Sequence, residues 1–152
     1  MWSFNKKKKK DVKPNIIWLD ETDSTNNYLK NYIPASDEKI SVVVADYQKA
    51  GRGQGVNTWE SEPGENLLFS ILVHPVMVPV HCQFLLSMAE ALALKEVLDN
   101  YTEGITLKWP NDIYWYDKKI GGTLIETTLG GGHIKNCIFG TGIDVNQTEF
   151  KS

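Results

Sequence analysis

One stretch of this chain, from about 81 to 100, runs far enough without glycine or proline to form a long helix, while every other apolar run is short and bounded by turn formers. Within it Phe84, Leu85, Met88, Ala91, Leu92, Ala93 and Leu98 suggest an amphipathic helix that packs on a sheet. The short runs at 16–19, 41–46, 66–73, 105–108, 113–116, 119–127 and 135–141 read as strands. A second helix is expected to start in Asp20-Glu21-Thr22-Asp23-Ser24-Thr25-Asn26-Asn27. Hydroxyl and carboxylate side chains can cap free amides there, and Tyr28, Leu29 and Tyr32 follow at helical spacing. Asp117-Lys118 and Gly130-Gly131-Gly132 read as turns, so the second half is a meander. The pattern predicts an α+β fold rather than a doubly wound one: a mixed, largely antiparallel sheet with helices packed on one side.

At 152 residues and 41% hydrophobic, the chain can bury one core without staples. Its net charge of −3 gives no global attraction to nucleic acid, and its only basic run is the lysines at 6–10. Adjacent lysines repel one another, which predicts a solvated tail; salt-sensitive, non-specific contact with DNA or a membrane surface is the other reading. Cys82 and Cys137 are too few for a disulfide framework and lie at no familiar metal-ligand spacing, although His81 adjoins Cys82. Both read as small buried hydrophobes. No leading segment joins a basic start to an apolar run and a cleavage site, so the expected compartment is the cytoplasm.

Chemistry concentrates in three loops. Arg52 is the only arginine among 16 basic residues and sits in Gly51-Arg52-Gly53-Gln54-Gly55. Glycines allow close backbone approach, and a guanidinium fork matches carboxylate or phosphate geometry. Lys108-Trp109-Pro110-Asn111-Asp112 brings cation, amide and carboxylate together after a strand, with Pro110 restricting the backbone. Lys118-Lys119-Ile120-Gly121-Gly122 again sets a lysine before glycines. Taken singly, each is equally a solvated turn, Ser24 to Asn26 a helix cap, and Trp59 and Trp109 core aromatics. Three loops that each pair close backbone approach with a cation suit a site handling several negative groups.

The order Asp23-Ser24-Thr25-Asn26, Gln48-Lys49-Ala50-Gly51-Arg52-Gly53, Trp59, Lys108-Trp109-Pro110-Asn111-Asp112, Lys119-Ile120-Gly121-Gly122 and Gly140-Thr141-Gly142-Ile143-Asp144-Val145-Asn146 resembles the catalytic domain of biotin protein ligases. The match runs from about 16 to 146, and its five motifs agree in type and spacing. On this resemblance residues 15–152 form a catalytic domain of the class II synthetase/biotin ligase type, and residues 1–14 a basic tail.

The resemblance implies a two-step reaction in which biotin and ATP give biotinyl-5′-AMP and pyrophosphate, and a lysine of a biotin carboxyl carrier protein, or carboxylase carrier domain, then takes the biotinyl group. It implies Arg52, Lys108 and Lys119 as the catalytic cations. Biotin would be held by Ser24, Thr25, Asn26, Gln48, Gly51, Arg52, Gly53, Lys119, Gly122, Gly140 and Gly142. The nucleotide and adenylate would be held by Arg52, Gln54, Trp59, Lys108, Asn111, Asp112 and Asn146, with Mg²⁺ on the phosphates and Asp112 as its protein ligand. ATP, biotin and Mg²⁺ are thus the expected small partners, with no tightly bound cofactor. Such ligases can pair through sheet edges as homodimers. No specific DNA contact is expected, because only about fifteen residues precede the first strand, and no membrane contact either.

The chain departs from the family pattern in two respects. Where many members continue with further arginines after the glycine loop, this one reads Gln54, Gly55, Val56, Asn57 and Thr58, which predicts weaker retention of the adenylate. It also stops at Ser152, where the family continues through more helices and a small β-barrel, so a truncated domain is expected. Two alternatives follow. One is a module that captures biotin or its adenylate without completing transfer. The other is a lipoate or octanoate transferase of the same fold; it lacks support from an Arg-Arg-x-Ser-Gly-Gly-Gly segment or an activated cysteine.

Overall fold

The computed structural model describes residues 12–151; the lysine run at 6–10 lies outside them. In chain order the elements are β1 (Asn15–Thr22), α1 (Thr25–Asn31), β2 (Ile40–Gln48), β3 (Asn66–Val73), α2 (Gln83–Leu98, entered through a 3-10 turn at Val80–Cys82), β4 (Ile105–Lys108), β5 (Asp112–Trp115), β6 (Lys118–Gly130) and β7 (His133–Asp144). The seven strands form one sheet in the order β1-β2-β3-β7-β6-β5-β4. Only β1 and β2 pair in parallel, joined by α1, and all other neighbours are antiparallel. The α+β class and the mixed, largely antiparallel sheet thus follow the sequence pattern.

The β-branched run in β2 shows how the core is chosen. Ser41, Val43 and Ala45 are buried, whereas the residues between them are half-buried, because successive strand side chains point to opposite faces. Their register partners Leu72, Ser70 and Leu68 on β3 face the same way, as do Ile138, Gly140 and Gly142 on β7. On this face α1 docks Leu29 into Val43, Leu72 and Ile138, with Ile17, Leu19, Tyr28 and Tyr32 around them.

The helices divide between the two faces of the sheet rather than sharing one. Asn26 of α1 lies over Gly140, but Glu90 of α2 meets Thr141, the next residue of the strand, which points the other way. The long helix is also a looser partner than its apolar residues suggest. It packs along the end strand β4, no residue in it is fully buried, and Phe84, Leu85, Met88, Leu92 and Val97 remain exposed.

Two further boundaries differ from expectation. Asp20 to Thr22 extend β1 instead of starting a helix, because parallel pairing with β2 sets Glu21 against Tyr47 and Thr22 against Gln48. α1 therefore begins at Thr25. Its N-cap Ser24 makes no side-chain cap bond; Asp23 Oδ1 instead accepts from the Ser24 amide, and its Oδ2 accepts from the Asn27 side chain. The glycine turn falls where expected: Gly131 and Gly132 both have positive φ, the conformation a two-residue hairpin loop needs, and β6 and β7 zip up on either side.

Candidate functional site

On the α1 face of the sheet lies a pocket of about 280 Å³. Of the residues expected to bind ligand, Ser24, Thr25, Asn26, Gln48, Arg52, Gly53, Gln54, Trp59, Asn111, Asp112, Lys119, Gly122, Gly140 and Gly142 line it. They come from α1, the end of β2, the glycine loop, the turn into β5, and the middle of β6 and β7. Segments separated in sequence thus meet around one cavity.

A buried polar network forms one wall. The Thr25 amide and hydroxyl both donate to Gln48 Oε1, at 2.8 and 3.0 Å. Ser70 Oγ lies 2.7 Å from Thr25 Oγ1 and 2.6 Å from Asn26 Oδ1, and the Asn26 amide donates to the Leu124 carbonyl and to Glu126. Ser24, Thr25, Asn26 and Ser70 are each at most 4% exposed, so their rotamers are held by bonds with little freedom to shift. With its oxygen committed, Gln48 offers its amide N–H groups as donors.

The glycine loop closes on itself as a small hairpin. The Gly53 amide donates to the Asn57 carbonyl, Asn57 to Gln54 and Trp59 to Gly51. Arg52 is tied down from outside the pocket: Nη2 lies 2.8 Å from Glu126 Oε1, and Nη1 donates to Glu126 Oε2 at 3.1 Å and to Asn27 Oδ1 at 2.8 Å. Gly51 is buried behind the hairpin and does not line the cavity; a Cβ there would strike the Trp59 carbonyl. The Trp59 indole lies against Gly142 and Gly122, where added methyl groups would meet its ring, and its Nε1 is buried without a partner among the described residues.

The second cation reaches the pocket through an irregularity. Strict alternation from Gly122 back along β6 would put Lys119 on the far face, but the β5–β6 register shifts between Ile113 and Tyr114, so that Tyr114 pairs with Lys119. The bulge turns Lys119 to the pocket side, where its Nζ lies 2.8 Å from Asp112 Oδ1. Close by, burial pushes the Asp144 carboxyl up to about 6, with the charge of Lys119 opposing the rise, and one of its oxygens has no partner among the described residues.

Lys108 and Asn146 stand apart. Lys108 lies over the Tyr114 ring and lines a neighbouring apolar groove of about 230 Å³ between α2 and β4–β5. The Asn146 amide donates to the Glu65 carbonyl, and the residue is not part of the pocket lining. Conversely, Asn57, Thr58, Pro110, Thr123, Leu124 and Thr141 line the pocket without having been singled out as ligand-binding, and Glu126 governs Arg52 without lining it. Thr141 was legible within its glycine motif; nothing local marks Glu126. Among the described residues no three His, Cys, Asp or Glu side chains gather as metal ligands, and no helix is long and apolar enough to cross a membrane.

Fold and pocket together define a class: an α+β domain in which a rigid hydrogen-bonding wall and two cations share one cleft. The Biotin/lipoate A/B protein ligase family matches residues 18–144, and the chain belongs to that family. Bifunctional ligase/repressor BirA of Salmonella typhimurium is 34% identical over 132 residues, covering 86% of this chain and 41% of that protein. A biotin protein ligase of Leishmania major, solved in complex with biotinyl-5-AMP, superposes with a TM-score of 0.68 at 30% identity, over 90% of this chain and 59% of that one. A mutant biotin protein ligase of Aquifex aeolicus in complex with biotin gives 0.65 at 35% identity, over 91% and 55%. The chain therefore spans well under half the length of the BirA relative it matches.

Proposed function

We propose that this chain forms biotinyl-5′-AMP from biotin and ATP and passes the biotinyl group to a lysine of a biotin carboxyl carrier protein. The observation that carries the reading is the shared lining: the Ser24–Thr25–Gln48 wall suits a neutral ureido head, while Arg52 and Lys119 line the same cavity and suit anions. In the first step a carboxylate oxygen bonds to the α-phosphorus and pyrophosphate leaves. Two unit charges about 4 Å apart repel by about 4 kcal/mol at an effective dielectric near 20. Lys119 and Arg52 offset that repulsion without forming covalent bonds. In the second step the carrier amine attacks the biotinyl carbonyl and AMP departs.

Trp59 offers its face to the nucleotide. Lys108 and Asn146 serve phosphate and ribose from beside the pocket. Among the described residues that line the pocket, Asp112 is the carboxylate placed to touch a Mg²⁺ that arrives on the phosphates, where the ion would neutralise developing charge. A donor set this small fits a nucleotide-borne ion, not one held by protein alone. Dependence on ATP suits a cytoplasmic setting.

The test is pyrophosphate release with ATP and Mg²⁺, compared between biotin and lipoate, beside calorimetric titration of each acid. Release with biotin and not with lipoate is expected. Release with lipoate alone would overturn the substrate assignment; biotin binding without release would make the chain a capture module.

A further inference from the structure

Glu126 belongs to none of the motifs read from the sequence and does not line the pocket, yet its carboxylate receives three separate side chains. Arg52 straddles it with both terminal nitrogens, at 2.8 and 3.1 Å; Lys30 Nζ lies 2.7 Å away; and Asn26 Nδ2 donates at 2.9 Å. The glutamate side chain is 20% exposed and that of Arg52 37% exposed. Burial opposes ionisation of Glu126, but hydrogen bonds from Arg52, Lys30 and Asn26 outweigh it and hold the carboxyl below the ordinary glutamate value.

Geometry sets this contact apart from a surface ion pair. A two-pronged guanidinium–carboxylate contact fixes orientation as well as distance. One prong also donates to Asn27, so Arg52 is fastened to both α1 and β6. The same carboxylate grips Asn26, whose oxygen contacts Ser70 inside the polar wall. A glycine-rich hairpin has few side chains of its own with which to hold a position; Trp59 packs its indole on Gly122 and Gly142, and Arg52 fastens the loop by hydrogen bonds to α1 and β6.

We infer that Glu126 is the positioning residue for Arg52: its carboxylate holds the guanidinium at the pocket rim and keeps the Gly51–Trp59 hairpin closed before ligand arrives. The consequence for adenylate retention rests on the ligase reading above; the closure itself does not.

Hydrogen exchange of the ligand-free chain reads the closure directly, through the Gly53, Asn57 and Trp59 amides that the hairpin protects. Glu126→Gln should speed exchange of these amides about tenfold, Arg52→Ala should do the same, and the double variant should go no further, because both changes cut one link. Lys30→Ala removes another cation from Glu126 without touching Arg52 and should leave the loop unchanged. Unchanged loop exchange in Glu126→Gln, additive effects in the double variant, or an equal effect of Lys30→Ala would each overturn the inference. Should Glu126→Gln loosen the whole chain, Arg52→Lys decides: a single ammonium cannot straddle the carboxylate, so loop exchange must rise with the rest of the chain unchanged. With biotin and ATP, Glu126→Gln should release adenylate about tenfold faster and also form it more slowly, because Arg52 is then no longer held at the pocket rim. A wild-type chain that makes no adenylate but shows the exchange pattern would refute the ligase reading and leave the role of Glu126 standing.

Discussion

At the scale of single residues, the site depends on where two side chains point and on what two glycines leave empty. Lys119 pairs with Asp112 while nearly half exposed, a contact that contributes at most about 1 kcal/mol to stability. On the ligase reading its value lies in the charge it brings to the cleft it lines. Lys119→Ala should therefore lower biotin-dependent pyrophosphate release by about 10²-fold or more, with a urea midpoint close to wild type. Equal losses in both would mark it as structural. Gly140 makes the opposite case. A Cβ there would run into the Asn26 amide, which cannot swing away because Ser70, Leu124 and Glu126 hold it. Gly140→Ala should cost about 1–3 kcal/mol in urea denaturation and weaken biotin binding in calorimetry. The sequence marks Gly140 and Lys119 as members of motifs, but the collision with Asn26 and the turn of Lys119 to the pocket arise from partners remote in the chain.

At the scale of elements, α2 is the instructive one. Glu90 links it to the far face of the sheet: it accepts from Thr141 at 3.1 Å and keeps its other oxygen buried without a partner among the described residues. Burial pushes the Glu90 carboxyl up to about 7, against hydrogen bonds from Thr141 and Thr123 that favour the charged form. A folded value above the ordinary 4.5 means that the folded state binds this proton more tightly than the unfolded one does. The associated stability is fully present below about pH 4.5 and is lost as pH rises through about 7. The loss is on the order of 3 kcal/mol. Urea denaturation at pH 5 and pH 8 should show this fall in wild type. Glu90→Gln should flatten most of it and be the more stable protein at pH 8, with a smaller fall of the same sign left from Asp144. A helix read from spacing alone would not carry this pH dependence, since spacing says nothing of which face meets a carboxyl with hydroxyls.

At the scale of the whole molecule, the central strands β3 and β7 carry both the core and the pocket floor. Leu68 is fully buried and sits opposite Gly142 in register, directly beside the site. Leu68→Ala should cost about 2–5 kcal/mol and lower biotin affinity as well, because the floor itself would sag; urea denaturation and calorimetry report the two losses. An unchanged affinity at reduced stability would show that pocket and core are independent. What the sequence by itself determined was local: seven strand segments, the glycine turns, the long uninterrupted helix, and the motifs whose order identified the family. Propensity, period-2 and helical patterning and turn chemistry act within a few residues and so can be read along the chain. Only the tertiary structure decided that the two helices take opposite faces, that a register shift turns Lys119 inward, that Lys108 lies beside the pocket, and that Arg52 reaches a carboxylate 74 residues away. Register and packing across the sheet set these, and both depend on which distant segments pair, a choice that no local stretch of the chain encodes.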